Sequence, residues 1–329
     1  MLFLMFERFF NLVSWNYSHE DLILLNIVMK FLSSNQIRLK IIIQKTGFIL
    51  LGLLWWPIIA LSAEIDVQGV VKWGGEVNET SGLASDGSHI WTINDSGNPN
   101  RLYRFSLDGN ALGSVLISNA TNVDWESLGH DENFLYVADT GNNLNMRKEF
   151  TIYRVALGSL ERASVEAELI TISYKDYVSG NLRSHNFDAE AIAIRGDEIW
   201  LFTKNRGDGN TNLYRFPKVP GIYEIEKSQT LPVDSLVTAA DIDPLSGQLV
   251  LLSTRRRSLG RETTLWHAPT TKDGVVWAES QSWQILPQDQ WEGVLWGSDS
   301  EILRLTHENN EQGFSGLAEV DLGEIGLSR

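Results

Sequence analysis

Beyond residue 63 the chain alternates short apolar runs with clusters of Gly, Asn, Asp and Ser, rich in Val, Ile, Leu and aromatic residues. That rhythm predicts strands joined by turns, because amphipathic helices need apolar positions three and four apart over longer windows. One unit recurs: an acidic residue, a short apolar strand, a turn, a second apolar strand, and a polar loop. The copies begin at Glu79 (E-T-S-G-L-A), Glu126 (E-S-L-G-H), Glu190 (E-A-I-A-I), Asp241 (D-I-D-P-L) and Glu292 (E-G-V-L-W), at spacings of 47, 64, 51 and 51 residues. Repeats of about 40–50 residues with two or more strands each are the mark of a β-propeller.

Further strands are expected in each copy, at 101–107 and 113–118, 150–155 and 167–174, 212–216 and 223–226, and 264–268 and 282–286. The fifth copy supplies only 314–322, and the missing strand is available at 64–73, ahead of the first repeat. The expectation is an all-β fold: a propeller of five four-stranded blades closed by an N-terminal strand, which leaves no open sheet edge. The length of the second unit leaves room for a sixth, degenerate blade. A sandwich or an open repeat array is the alternative.

In a propeller the start of each inner strand and the end of the second strand lie on one face. Glu79, Glu126, Glu190, Asp241 and Glu292 are therefore expected as a ring of acids at the channel mouth, with Asp124 and Asp188 doubling it, since residues i and i+2 of a strand share a side. The top-face loops bring Asn94, Asp95, Asp139, Asn142, Asn143, Lys204, Arg255 and His307 to the same face. At about 6 Å separation and an effective dielectric near 20, two carboxylates repel by roughly 3 kcal/mol. The ring thus calls for protonation, for Lys204 or the arginines at 255 and 256, or for a cation. An all-oxygen donor set suits Ca²⁺ or Mg²⁺. The competing reading is that each acid binds backbone N–H groups of the next blade and holds the ring together. His130, His185 and His307 are candidate bases, and Trp125 and Trp291 adjoin the acids.

Charge and composition narrow the partners. With 27 Lys and Arg against 42 Asp and Glu, the net charge of −15 excludes the basic footprint of a nucleic-acid binder. No Cys is present, so disulfides and thiolate metal sites are excluded. No G-x-S-x-G elbow, P-loop or H-E-x-x-H occurs. The apolar run at 47–61, preceded by Arg38, Lys40 and Lys45 and followed by Ser62-Ala63, has the layout of a signal peptide over about 38–63. The division expected is a leader at 1–63, with translation starting at Met1 or Met29, and one propeller domain at 64–329. An extracytoplasmic monomer follows, or a protein held at the membrane by an uncleaved leader.

The segments W-T-I-N-D-S-G-N-P-N-R-L-Y-R (91–104), V-D-W-E-S-L (123–128), L-Y-V-A-D-T-G-N-N (135–143) and D-A-E-A-I-A-I (188–194) resemble a family of exported bacterial propellers. That family is distantly similar to esterase-like phytase and SdiA-regulated propellers. Its members often read D-x-G-D-N where this chain has D-T-G-N-N, with Asn142 in place of Asp. E-G-V-L-W (292–296) looks like an inner-strand start of calcium-dependent lactonase propellers. The resemblance implies a Ca²⁺ site of Glu79 or Glu292 with Asp124, Asp188 and Asn94, and hydrolysis of a phosphoester or lactone; the ring itself adds Glu126 and Glu190 to the metal candidates. A non-catalytic propeller binding a small polar ligand or a protein on its top face is the other expectation.

Overall fold

A computed structural model describes residues 63–257, 260–297, 301–308 and 315–327. The leader expected over 1–63 lies outside them except for Ala63, as does the choice of start residue. No helix among the described residues is long and apolar enough to cross a membrane.

The repeats fold into five sheets, each led by an inner strand: Thr80–Ser85, Trp125–His130, Ala189–Arg195, Leu236–Ile242 and Trp291–Trp296. Each inner strand packs against the inner strands of the preceding and following blades, and the last packs against the first, so the ring closes at five. The long second repeat holds no extra blade; its surplus residues form a turn-rich connection over 175–188.

What closes the ring is burial on both faces of every sheet. Strands such as Phe134–Asp139 and Glu198–Thr203 are buried along almost their whole length, since each blade is sandwiched between two others. The core is accordingly divided into clusters at the blade junctions. Trp91 and Trp125 pack between blades 1 and 2, Tyr136 and Tyr214 between 2 and 3, Trp200 and Leu251 between 3 and 4, Trp283 and Trp291 between 4 and 5, and Trp73 and Phe105 between 5 and 1.

The N-terminal segment closes the ring with two strands where the sequence pattern suggested one. Gln68–Trp73 completes blade 5 antiparallel to Ser315–Asp321, while Ala63–Asp66 adds to blade 4 in parallel with Gln281–Leu286. Val67 joins them and donates its N–H to the Leu286 carbonyl at 2.9 Å. The segment expected to end blade 3, 223–226, also departs from the pattern. Gly221–Ile225 crosses to blade 2 and pairs in parallel with Glu168–Tyr174, and blade 3 is completed instead by Lys227–Leu231. Ser164–Val165 likewise adds in parallel to blade 1. These parallel edge strands tie neighbouring blades together and cover edges left open by the four-stranded pattern.

Candidate functional site

The mouth of the channel is built by a backbone irregularity repeated in every blade. Each inner strand carries one extra residue relative to its partner, in the intervals Thr80/Leu83, Trp125/Ser127, Ala189/Ala191, Val237/Ala239 and Trp291/Gly293. A bulge leaves its extra residue out of the ladder and re-aims it. The residues so placed are Ser81, Glu126, Glu190, Thr238 and Glu292, and all of them line one cavity of about 390 Å³. Just beyond the matching point of the second strands stand Asp95, Lys204, Thr254 and Glu308, which line it as well. The blade-2 equivalent, Thr140, is buried and donates to the Ala189 carbonyl at 2.8 Å.

Blades 1 to 3 make an acidic wall. Carboxylate oxygens of Asp95, Asp124 and Glu126 lie within 4.8 Å of one another, and so do those of Glu126, Asp188 and Glu190, so Glu126 belongs to both groups. Gly141 makes this convergence possible: a Cβ there would stand 2.3 Å from Asp124 Oδ2 and 2.4 Å from Glu126 Oε1. The Glu190 group carries its own counter-charges. Lys204 Nζ binds Glu190 Oε2 directly, and Arg206 donates to Asp188 Oδ2 at 2.9 Å and lies 3.4 Å from Glu190 Oε1. Glu126 is 5% exposed, and among the described residues its carboxylate has neither a hydrogen-bond nor an ion-pair partner.

The titration of the wall follows from that arrangement. Burial pushes the Glu126 carboxyl well above the usual range, and Glu190, Asp95, Asp188 and Asp124 push it the same way. Asp124 is raised to about 6 by burial and then by Asp95 and Asp188. Glu308, on blade 5, is raised to about 9 by burial and then by Glu292 and Asp95. Burial opposes the charge on Lys204, but Glu190, Glu292 and Glu126 outweigh it, and its ammonium is held above its ordinary range.

The ring expected from the sequence is thus assembled in part. Glu126, Glu190 and Glu292 occupy bulge positions, with Asp124 and Asp188 beside the first two. Blades 1 and 4 depart from the expectation. Glu79 precedes the bulge, is exposed, and accepts a hydrogen bond from Asn98 at 2.5 Å; the slot belongs to Ser81. Asp241 lies three residues past the slot residue Thr238, roughly 10 Å down the strand at strand rise, where it accepts the N–H groups of Trp296 and Ile242 at 2.8 and 2.9 Å. Acids mark the repeat in the sequence, whereas the backbone keeps its register at the bulge.

Several loop residues hold the scaffold. Asn94 is buried, donates to the Glu76 carbonyl at 2.6 Å, accepts the Glu79 N–H at 3.4 Å, and does not line the cavity. Asp139 accepts the N–H groups of Val123 and Asp124 and pairs with Arg147 at 2.7 Å. Asn142 accepts from Met146 and Arg147 and donates to the Phe187 carbonyl, a donor role that Asp has no proton to fill. Asn143 lines the cavity and accepts from Arg206. Arg255 pairs with Asp234 and leaves the acids alone. His307 is buried edge-on to Trp291 at 5.1 Å, and neither it, His130 nor His185 lines the cavity. Trp125 and Trp291 are core residues whose indole N–H groups donate to Thr121 and Pro287 carbonyls.

Residues that sequence reasoning missed are Ser81, Thr238, Arg206, Arg261, Gln290 and Glu308. Glu308 had a legible signal, since it follows the second strand just as Asp95 and Lys204 do. Ser81 and Thr238 had none, because a bulge is a backbone property that any side chain can occupy.

No protein-family model matches the chain, and no curated protein matches it in sequence. Among solved structures, the chain is similar to hydrazine synthase of Kuenenia stuttgartiensis, at 16% identity and a TM-score of 0.39 over 76% of this chain and 64% of that one. It is also similar to a functionally unknown protein from Desulfotomaculum acetoxidans DSM 771, at 11% identity and a TM-score of 0.36 over 71% of each chain. A chain of a nidogen/laminin complex matches at 11% identity and a TM-score of 0.37, over 70% of this chain and 73% of that one. The chain spans less than two thirds of the hydrazine synthase chain. Likeness at this level bears on neither family nor function.

Proposed function

We propose that the cavity binds a small polar ligand together with a divalent cation, Ca²⁺ by preference, held by Asp95, Asp124 and Glu126. The observation that supports this is Glu126: a residue 5% exposed whose carboxylate lines the cavity, without a partner among the described residues, and faces a second carboxylate group. A buried charge needs a partner or it is neutralised. The Glu190 group has Lys204 and Arg206, so the place for an added cation is the Asp95 side. Donors there are all oxygens, the chemistry hard cations take.

The reaction this set suits is hydrolysis of a phosphoester or lactone. The cation would polarise the scissile oxygen, and Glu308, protonated at neutral pH, would be a proton donor from blade 5. The basic, apolar and small-residue sequence of 38–63 supports export as the setting. A scaffold that binds without catalysis is the second reading. What favours it is that Asp139, Asn94, Asn142 and Asp241 each serve neighbouring backbone.

Thermal unfolding with Ca²⁺, Mg²⁺ and Mn²⁺ tests the cation. Binding to the native state alone raises the midpoint with concentration, and the rise should vanish in Glu126→Gln. No rise with any of the three ions removes the proposal. A screen of phosphoester, lactone and carboxyl-ester substrates, with and without EDTA, then separates enzyme from scaffold.

A further inference from the structure

The wall opposite the acids is basic, and its geometry is that of one hairpin. Gln248–Arg257 and Gly260–Thr271 pair with Thr254 opposite Thr263, Arg255 opposite Glu262, and Arg256 opposite Arg261. Side chains alternate along a strand, and directly opposed residues share a face. Arg255 and Arg257 therefore point away from the cavity, and both are paired, with Asp234 and Glu262. Thr254, Arg256 and Arg261 point the other way and line the cavity.

Among the described residues, neither Arg256 nor Arg261 has a hydrogen-bond or salt-bridge partner. Arg261 does act at longer range on Glu292 and Glu308, drawing both carboxyls down against burial. Two like charges directly opposed across a ladder repel. Such a pair is relieved when an anion sits between the forks, and planar guanidinium groups match the paired oxygens of phosphate and carboxylate. The neighbouring arginines have fixed acid partners instead, Glu262 within the hairpin and Asp234 just ahead of the inner strand.

We propose that Arg256 and Arg261 form an oxyanion clamp on the blade-4 wall, so that the ligand carries a phosphate or carboxylate group at that end. The inference rests on the reading of this cavity as a ligand site, but not on the cation. The ligand class is a small anionic molecule spanning from the clamp towards the Glu126 wall, within a volume typical of small-molecule sites.

The test is thermal unfolding and calorimetric titration of the full chain in EDTA, at constant ionic strength, with inorganic phosphate in one arm and acetate in the other. At least one anion is expected to raise the midpoint of the wild type. Arg256→Gln and Arg261→Gln should each weaken its binding by about tenfold, the worth of a charge-assisted hydrogen bond, and the double variant should abolish it. The single variants keep the test valid should the double variant fold poorly, and replacement of both by Lys should restore part of the affinity. The arm that responds tells a phosphoryl from a carboxylate ligand. Glu126→Gln should lose the cation response and keep the anion response, so the two proposals fail separately. No response to either anion, or an equal response in the Gln variants, overturns the clamp.

Discussion

Glu126 and Glu190 occupy the same bulge slot in adjacent blades, both nearly fully buried, yet their surroundings are opposite. Glu190 is bonded directly to Lys204 and Arg206; Glu126 feels both cations only at longer range, and the oxygens close to its own are those of other acids. The difference traces to one position. The residue after the second strand is Lys204 in blade 3 and Thr140 in blade 2, and Thr140 spends its hydroxyl on the Ala189 carbonyl. Pseudo-symmetry thus supplies equal positions, and side-chain choice makes one a closed ion pair and the other an open acceptor. A closed pair is a structural feature; an open one is a place for something to bind.

The contrast is sharpened most by breaking the closed pair. Lys204→Met leaves Glu190 buried without its principal counter-charge, and a loss of about 3–5 kcal/mol is expected at pH 8 by denaturant unfolding. Glu190→Gln added to it should recover most of that loss. If the single variant is as stable as the wild type, the pair is not what holds Glu190 in place.

Next in size is Gly141→Ala. The added methyl would collide with both Asp124 and Glu126, so a loss of about 1–3 kcal/mol and of the cation response is expected, measured by the same unfolding and titration. Asn142→Asp removes the donor to the Phe187 carbonyl and should cost about 1–3 kcal/mol; retained stability would show that the loop tolerates an acid there.

A smaller effect lies in the pH dependence. Asp124, Asp241 and Glu308 have folded-state values of about 6, about 7 and about 9, against ordinary values of 3.8, 3.8 and 4.5. Each binds its proton more tightly when folded. Its contribution to stability is therefore fully present below the ordinary value and is lost as pH rises through the folded one. In EDTA the midpoint should fall between about pH 4 and pH 9, and Ca²⁺ should flatten the upper part of the decline. Glu126→Gln should raise the EDTA midpoint by a few degrees, about 1 kcal/mol of relieved burial and repulsion. A midpoint that climbs with pH would contradict the charge state assigned to the acidic wall. Smallest of all, Asp241→Asn should leave cation and anion responses unaltered, because that residue lies at the far end of its strand.

Much of this architecture was legible in the chain. Acid-led apolar runs at 126, 190 and 292 marked the inner strands and the channel mouth, and the shortfall of one strand in the last repeat pointed to closure by the N-terminal segment. Registers at 79 and 241 were not legible. Composition reports an acid near a strand, but the bulge that aims a side chain is set by hydrogen bonding, so Ser81 and Thr238 left no mark. Pairing of Arg255 with Asp234, and the turning of Arg256 and Arg261 into the cavity, depend on strand phase in the same way. The parallel edge strands were hidden because a segment such as Gly221–Ile225 reads as a strand whichever blade receives it.

The account stands on a cation at the Asp95, Asp124 and Glu126 carboxylates. A crystal grown with Mn²⁺, measured at the manganese absorption edge, reads that position through its anomalous signal. A peak within coordination distance of those three side chains, absent in Glu126→Gln, is the expected result. A map without such a peak, or with its only peak elsewhere on the ring, would contradict it.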